Sequence, residues 1–101
     1  MEGDPYELPE DQREQIETAL WTLGTHMPGS SHERFADRKH LLGVMNDDRR
    51  FQFFLRHAHR RYELTGGYAK NGEFVQWLIG MISDHRDVII LFLRIAILVA
   101  F

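Results

Sequence analysis

The clearest signal along the chain is the return of apolar residues at helical spacing. Ile16, Ala19, Leu20, Leu23 and Met27 fall at i, i+3, i+4, i+7 and i+11, which predicts an amphipathic helix. Pro9 stands where such a helix begins, and Glu10 and Asp11 suit its positive N-terminal end. Residues 1–9, acidic and carrying Pro5 and Pro9, read as an irregular lead-in. Gly24 is expected to end the helix, and Met27-Pro28-Gly29 to turn the chain. Ser30 and Glu33 then form a capping-box pattern, opening a second helix to about Met45 that buries Phe35, Leu41, Leu42 and Met45. Asn46-Asp47-Asp48 supplies the next N-cap and an acidic first turn. In the third helix Phe51, Phe54, Leu55, Ala58 and Tyr62 share one face, and Gly66-Gly67 stops it. Asn71 is a cap for a fourth helix carrying Phe74, Trp77, Leu78 and Met81, interrupted at Ser83-Asp84.

The last segment, residues 88–101, breaks the amphipathic pattern. It reads VIILFLRIAILVAF, with Arg94 as its one polar residue. Its Val and Ile content also suits a strand, but no second strand-like segment exists to pair with it, so a helix is expected. Fourteen helical residues span roughly 21 Å at about 1.5 Å each, short of a bilayer core of about 30 Å. Arg94 would cost on the order of 3 kcal/mol in lipid. The segment is therefore expected to be covered by protein, in this chain or in a second copy, with entry into a membrane as the alternative. Arg94 should then reach a carboxylate or the surface, and Glu14, Glu17 and Glu73 are the candidate partners. Together these elements predict an all-α fold: one domain over residues 1–101, a compact bundle of four to six short helices with a very hydrophobic C-terminal helix. Its expected core comprises Ile16, Leu20, Leu23, Phe51, Phe54, Leu55, Trp77 and Leu78.

Composition narrows the function. A chain of 101 residues fits one domain, and 44% apolar with 12% aromatic residues is not a disordered composition. A net charge of −3 argues against a generally basic nucleic-acid protein, though not against a local patch. The absence of cysteine excludes disulfides and cysteine-based zinc sites. The opening Met1-Glu2-Gly3-Asp4 lacks a basic region followed by an apolar one, so no signal peptide is read and the expected location is cytoplasmic.

Few residues suggest chemistry. His85-Arg86-Asp87 repeats the catalytic-loop triplet of protein kinases, but Phe92 stands where that loop needs Asn, and the chain has no Gly-rich loop. Asp84 and Asp87 are better read as first-turn acids of the last helix. Of the six histidines, His57 and His59 are two apart and point to different helix faces, so surface positions are expected and no metal or cofactor. The segment 47–63 is rich in arginine: Arg49, Arg50, Arg56, Arg60 and Arg61. Arg49, Arg56 and Arg60 group opposite the apolar stripe, and Phe53 lies among them. An exposed ring between guanidinium groups can stack on a base or enter a partner's pocket.

No nucleophile–base pair, phosphate loop or metal spacing is present, so the expected function is non-enzymatic. The reading is a protein-binding module — an adaptor, inhibitor or assembly subunit — acting through helical surfaces or self-association. Its candidate contacts are Arg49, Phe53, Arg56, Arg60 and Arg94. The alternatives are a membrane-associated subunit with 88–101 in lipid and a nucleic-acid binder using 47–63. No motif identifies a family. Likeness to the death-domain superfamily and to Bcl-2-like proteins stops at helix count and a hydrophobic late helix, and the Asn-Trp-Gly-Arg signature of the latter is absent.

Overall fold

Where the apolar stripes persist the described backbone is helical, and it breaks at short stretches such as Asn46-Asp47 and His85. The computed structural model describes residues 8–25, 32–66 and 71–98, with 32–36 and 71–72 described for their backbone alone. Among the described residues five helices follow in order: α1 (Glu10–Thr25), α2 (His32–Met45), α3 (Asp48–Leu64), α4 (Asn71–Asp84) and α5 (Arg86–Leu98). No strand occurs among the described residues. The protein is an all-helical bundle, as its patterning predicts. The expected Met27-Pro28-Gly29 turn, the Ser30 capping box, burial of Phe35 and any cap by the Asn71 side chain lie outside the described residues.

The junctions follow from local chemistry. At the start of α1, the Pro9 carbonyl accepts from the Gln12 and Arg13 amides, both at 3.0 Å. Gly24 does not end α1. The helix runs on to Thr25, whose Oγ1 donates to the Thr22 carbonyl. A Cβ at Gly24 would stand 3.4 Å from Leu41, so this glycine lies where α1 meets α2. Asp47 caps α3, its Oδ1 accepting from the amides of Arg49 (3.0 Å) and Arg50 (3.3 Å). At the far end, the Thr65 hydroxyl and amide donate to the Tyr62 carbonyl, and Gly66 adopts φ +87°, a conformation that favours glycine. A single residue, His85, separates α4 from α5. Its amide donates to the Met81 carbonyl, and its own carbonyl accepts from Val88 and Ile89. Asp84 consequently ends α4 rather than opening α5, while Asp87 lies in the first turn of α5 as expected.

α5 packs against α2, α3 and α4, and α1 closes the bundle mainly over α4 and α2. The core holds Ile16 and Leu20 from α1, Leu41 and Val44 from α2, Phe51, Phe54, Leu55, Ala58 and Tyr62 from α3, Phe74, Val75, Leu78 and Ile82 from α4, and Ile89, Phe92, Leu93 and Ala96 from α5. Six of the eight expected core residues are buried; Leu23 and Trp77 are only half-buried against them. In α2 the expected face is rotated. Leu42 is 43% exposed and Met45 half-buried, while Val44 and Asp37 are buried. In α4 Val75 and Ile82 are buried where Met81 was expected, and Met81 is half-buried. The described part of the hydrophobic C-terminal segment, residues 88–98, is amphipathic in place: Ile89, Phe92, Leu93 and Ala96 are buried in the core, and Leu91 and Leu98 face outward. No helix among the described residues is long and apolar enough to cross a membrane.

Candidate functional site

α3 carries a strongly basic outward face. At 3.6 residues per turn, burying Phe51, Phe54, Leu55, Ala58 and Tyr62 turns positions 49, 53, 56 and 60 to the opposite side. Arg49, Arg56 and Arg60 are exposed there and Phe53 is half-buried. From Arg49 to Arg60 the ridge runs roughly 16 Å at about 1.5 Å per residue. Arg49 and Arg60 make no ion pair among the described residues.

Phe53, Arg56 and Arg60 come together, with His57 and Glu63, around a shallow hollow of about 310 Å³. The Phe53 ring lies 4.8 Å from the imidazole of His57, which in turn lies near-parallel to Phe92 of α5 at 6.3 Å. Phe53 is thus an aromatic step between the arginine ridge and the core, rather than a free ring. Burial, and then the Arg60 charge, hold the His57 pKa below its ordinary 6.5. At neutral pH the hollow therefore presents a neutral imidazole beside its guanidinium groups. Arg49 lies one turn before this hollow and does not line it.

The sequence did not place His57 or Glu63 in this site, and it expected His57 and His59 at the surface. His57 is half-buried instead, and His59 is no surface histidine either. It is buried, its ring edge-on to Phe74 at 4.9 Å and its Nδ1 3.0 Å from the Glu63 carboxylate. Tyr62 and Trp77 complete this aromatic cluster between α3 and α4. Among the described residues no three His, Asp or Glu gather as a metal-binding group.

Arg94 stands apart from the ridge. Its Nε (3.2 Å) and Nη2 (2.6 Å) both donate to Oδ1 of Asp37, which α2 holds almost completely buried. None of the expected partners Glu14, Glu17 or Glu73 holds Arg94. Glu17 instead pairs with Arg13, which also bonds Asp48 and lies 4.5 Å over the Phe51 ring.

The described residues also line other hollows. One, of about 820 Å³ between α1 and α4, is larger than the hollow at Phe53, but the charges on its wall are Asp11, Glu14 and Arg86, of mixed sign with no aromatic between them. Another, of about 330 Å³, lies where Trp21 meets Leu41 and Leu42. Neither concentrates one charge as α3 does, so size does not decide the site. The chain matches no protein-family model, and no curated protein and no solved structure matches it.

Proposed function

We propose that the protein is a non-enzymatic interaction module that docks on an acidic surface of a partner protein through the outer ridge of α3. The observation that carries this reading is the row Arg49, Phe53, Arg56 and Arg60 on one exposed helix face, with two of its three guanidinium groups unpaired among the described residues. Arginine offers a planar fork of donors that matches a carboxylate, and an adjacent half-buried ring supplies contact area. The total charge of −3 repels any anionic partner at long range, and that penalty grows with the partner's charge, so a polyanion such as nucleic acid is disfavoured more than a modest acidic patch.

The test is Arg56→Glu with Arg60→Glu, titrated against two probes: an acidic peptide and a single-stranded oligonucleotide. Both arginines are exposed, so the helical circular dichroism and melting temperature should hold, surface changes usually moving stability by under about 0.5 kcal/mol. Wild type should bind the acidic peptide and the double variant should not. Tighter binding of the oligonucleotide, falling steeply between about 50 and 200 mM salt, would transfer the ridge to nucleic acid. A double variant that fails to fold would make the ridge structural.

A further inference from the structure

α5 presents a second outward ridge, independent of the arginines of α3. With Ile89, Phe92, Leu93 and Ala96 in the core, the helical period turns Asp87, Leu91, Arg94 and Leu98 to the opposite side. All four are exposed, Leu91 by 53% and Leu98 by 76%. Val88 and Ile95 flank Leu91 half-buried. The ridge thus reads acid, leucine, base, leucine. Asp87 makes no ion pair among the described residues. Arg94 spends its Nε and Nη2 on one oxygen of Asp37, and its side chain remains 49% exposed with Nη1 unused by that pair.

This order of charges complements itself only when reversed. In a second α5 laid antiparallel across the first, a two-fold axis beside Leu91 sets each Asp87 against the other copy's Arg94. The two charges lie three and a half residues either side of that axis, about 5 Å along the helix. Leu91 then meets Leu91 at the centre, with Val88 and Ile95 at its flank. A parallel pair would instead set Asp87 beside Asp87 and Arg94 beside Arg94. We propose that the outer ridge of α5 is the interface of a symmetric, antiparallel dimer of this chain, centred on Leu91. The interface is isologous, the usual form of a two-fold pair. Its leucines supply the contact and its exposed charges set the orientation.

The chain has no cysteine, so a single introduced thiol reports the geometry. In the full chain, Leu91→Cys should oxidise readily to a covalent dimer. Leu98→Cys should not, because it lies about 11 Å along the helix from the axis and its two copies stand on opposite sides of it. Light scattering should give twice the chain mass for wild type at about 100 µM, where mass action favours even a weak pair. Leu91→Glu should give the monomer mass with unchanged helical circular dichroism. Leu64→Glu, at the exposed end of α3, should stay dimeric. Should Leu91→Glu fail to fold, the cross-linking pair still decides. A monomeric wild type, equal cross-linking at positions 91 and 98, or association that appears only with lipid vesicles would overturn the proposal. Because Leu91 is not on α3, a loss of dimer with acidic-peptide binding intact separates this inference from the proposed function.

Discussion

The pair of Arg94 and Asp37 sets what a single substitution does here. A charge in a run of apolar residues invites replacement by leucine, since well-packed apolar groups often outdo buried charges. The structure reverses that expectation. Arg94 is half exposed and could face water alone, whereas Asp37 is nearly buried on α2 and depends on the guanidinium for both of its contacts. Arg94→Leu should therefore cost about 3 kcal/mol, the low end for stranding a buried charge, because some water reaches the site around the half-exposed arginine. Asp37→Leu combined with Arg94→Leu should recover most of that loss. Chemical denaturation of the two single variants and the double variant measures this. If Arg94→Leu alone is as stable as wild type, the ion pair holds α2 to α5 only weakly.

Among the helices, glycine shows where packing constrains the elements and where it does not. At Gly43 of α2, a Cβ would fall 2.6 Å from the δ-methyl of Ile97, so α2 and α5 approach closely there. Gly80, inside α4, has no atom of another helix within 4 Å of that position among the described residues, and no positive φ. Glycine in a helix interior costs roughly 0.5–1 kcal/mol relative to alanine, because the unfolded chain has more freedom to lose. Gly80→Ala should thus stabilise the protein by about 0.5–1 kcal/mol. A domain of this size gains roughly 4–8 °C in melting temperature per kcal/mol, which a thermal scan resolves. An unchanged or lower melting temperature would mean that α4 meets something at Gly80, such as a second copy.

For the whole molecule, α5 supplies packing that the fold is expected to need. It touches three of the other four helices and brings Ile89, Phe92, Leu93 and Ala96 into the core. Each such side chain contributes on the order of 1–3 kcal/mol of burial, against a total stability of about 5–15 kcal/mol for a domain. A chain ending at His85 should lose cooperative thermal unfolding and near-ultraviolet circular dichroism. Were it to melt cooperatively with native helix content, α1 to α4 would be a self-sufficient unit and α5 an appendage free to dock elsewhere.

The sequence by itself determined the helices and much of the core. Periodicity is a local property, and the residues that carry it, such as Ile16, Leu20, Phe51, Phe54 and Leu55, are buried as their spacing requires. The Asp47 cap and the Gly66 stop were legible for the same reason, since each acts within a few residues. The arginine ridge was legible too, because the opposite face of α3 had already been assigned to the core. What pairs across the chain was not. Asp37 and Arg94 stand 57 residues apart, and nothing local marks an aspartate inside an apolar face as the partner of an arginine inside another. Burial of His59 against Phe74 depends likewise on how α3 meets α4. The C-terminal run looked apolar all round because sequence cannot say which side has neighbours. Only the arrangement of α2, α3 and α4 around α5 leaves Leu91 and Leu98 uncovered, and so turns a hydrophobic segment into a core face and a ridge.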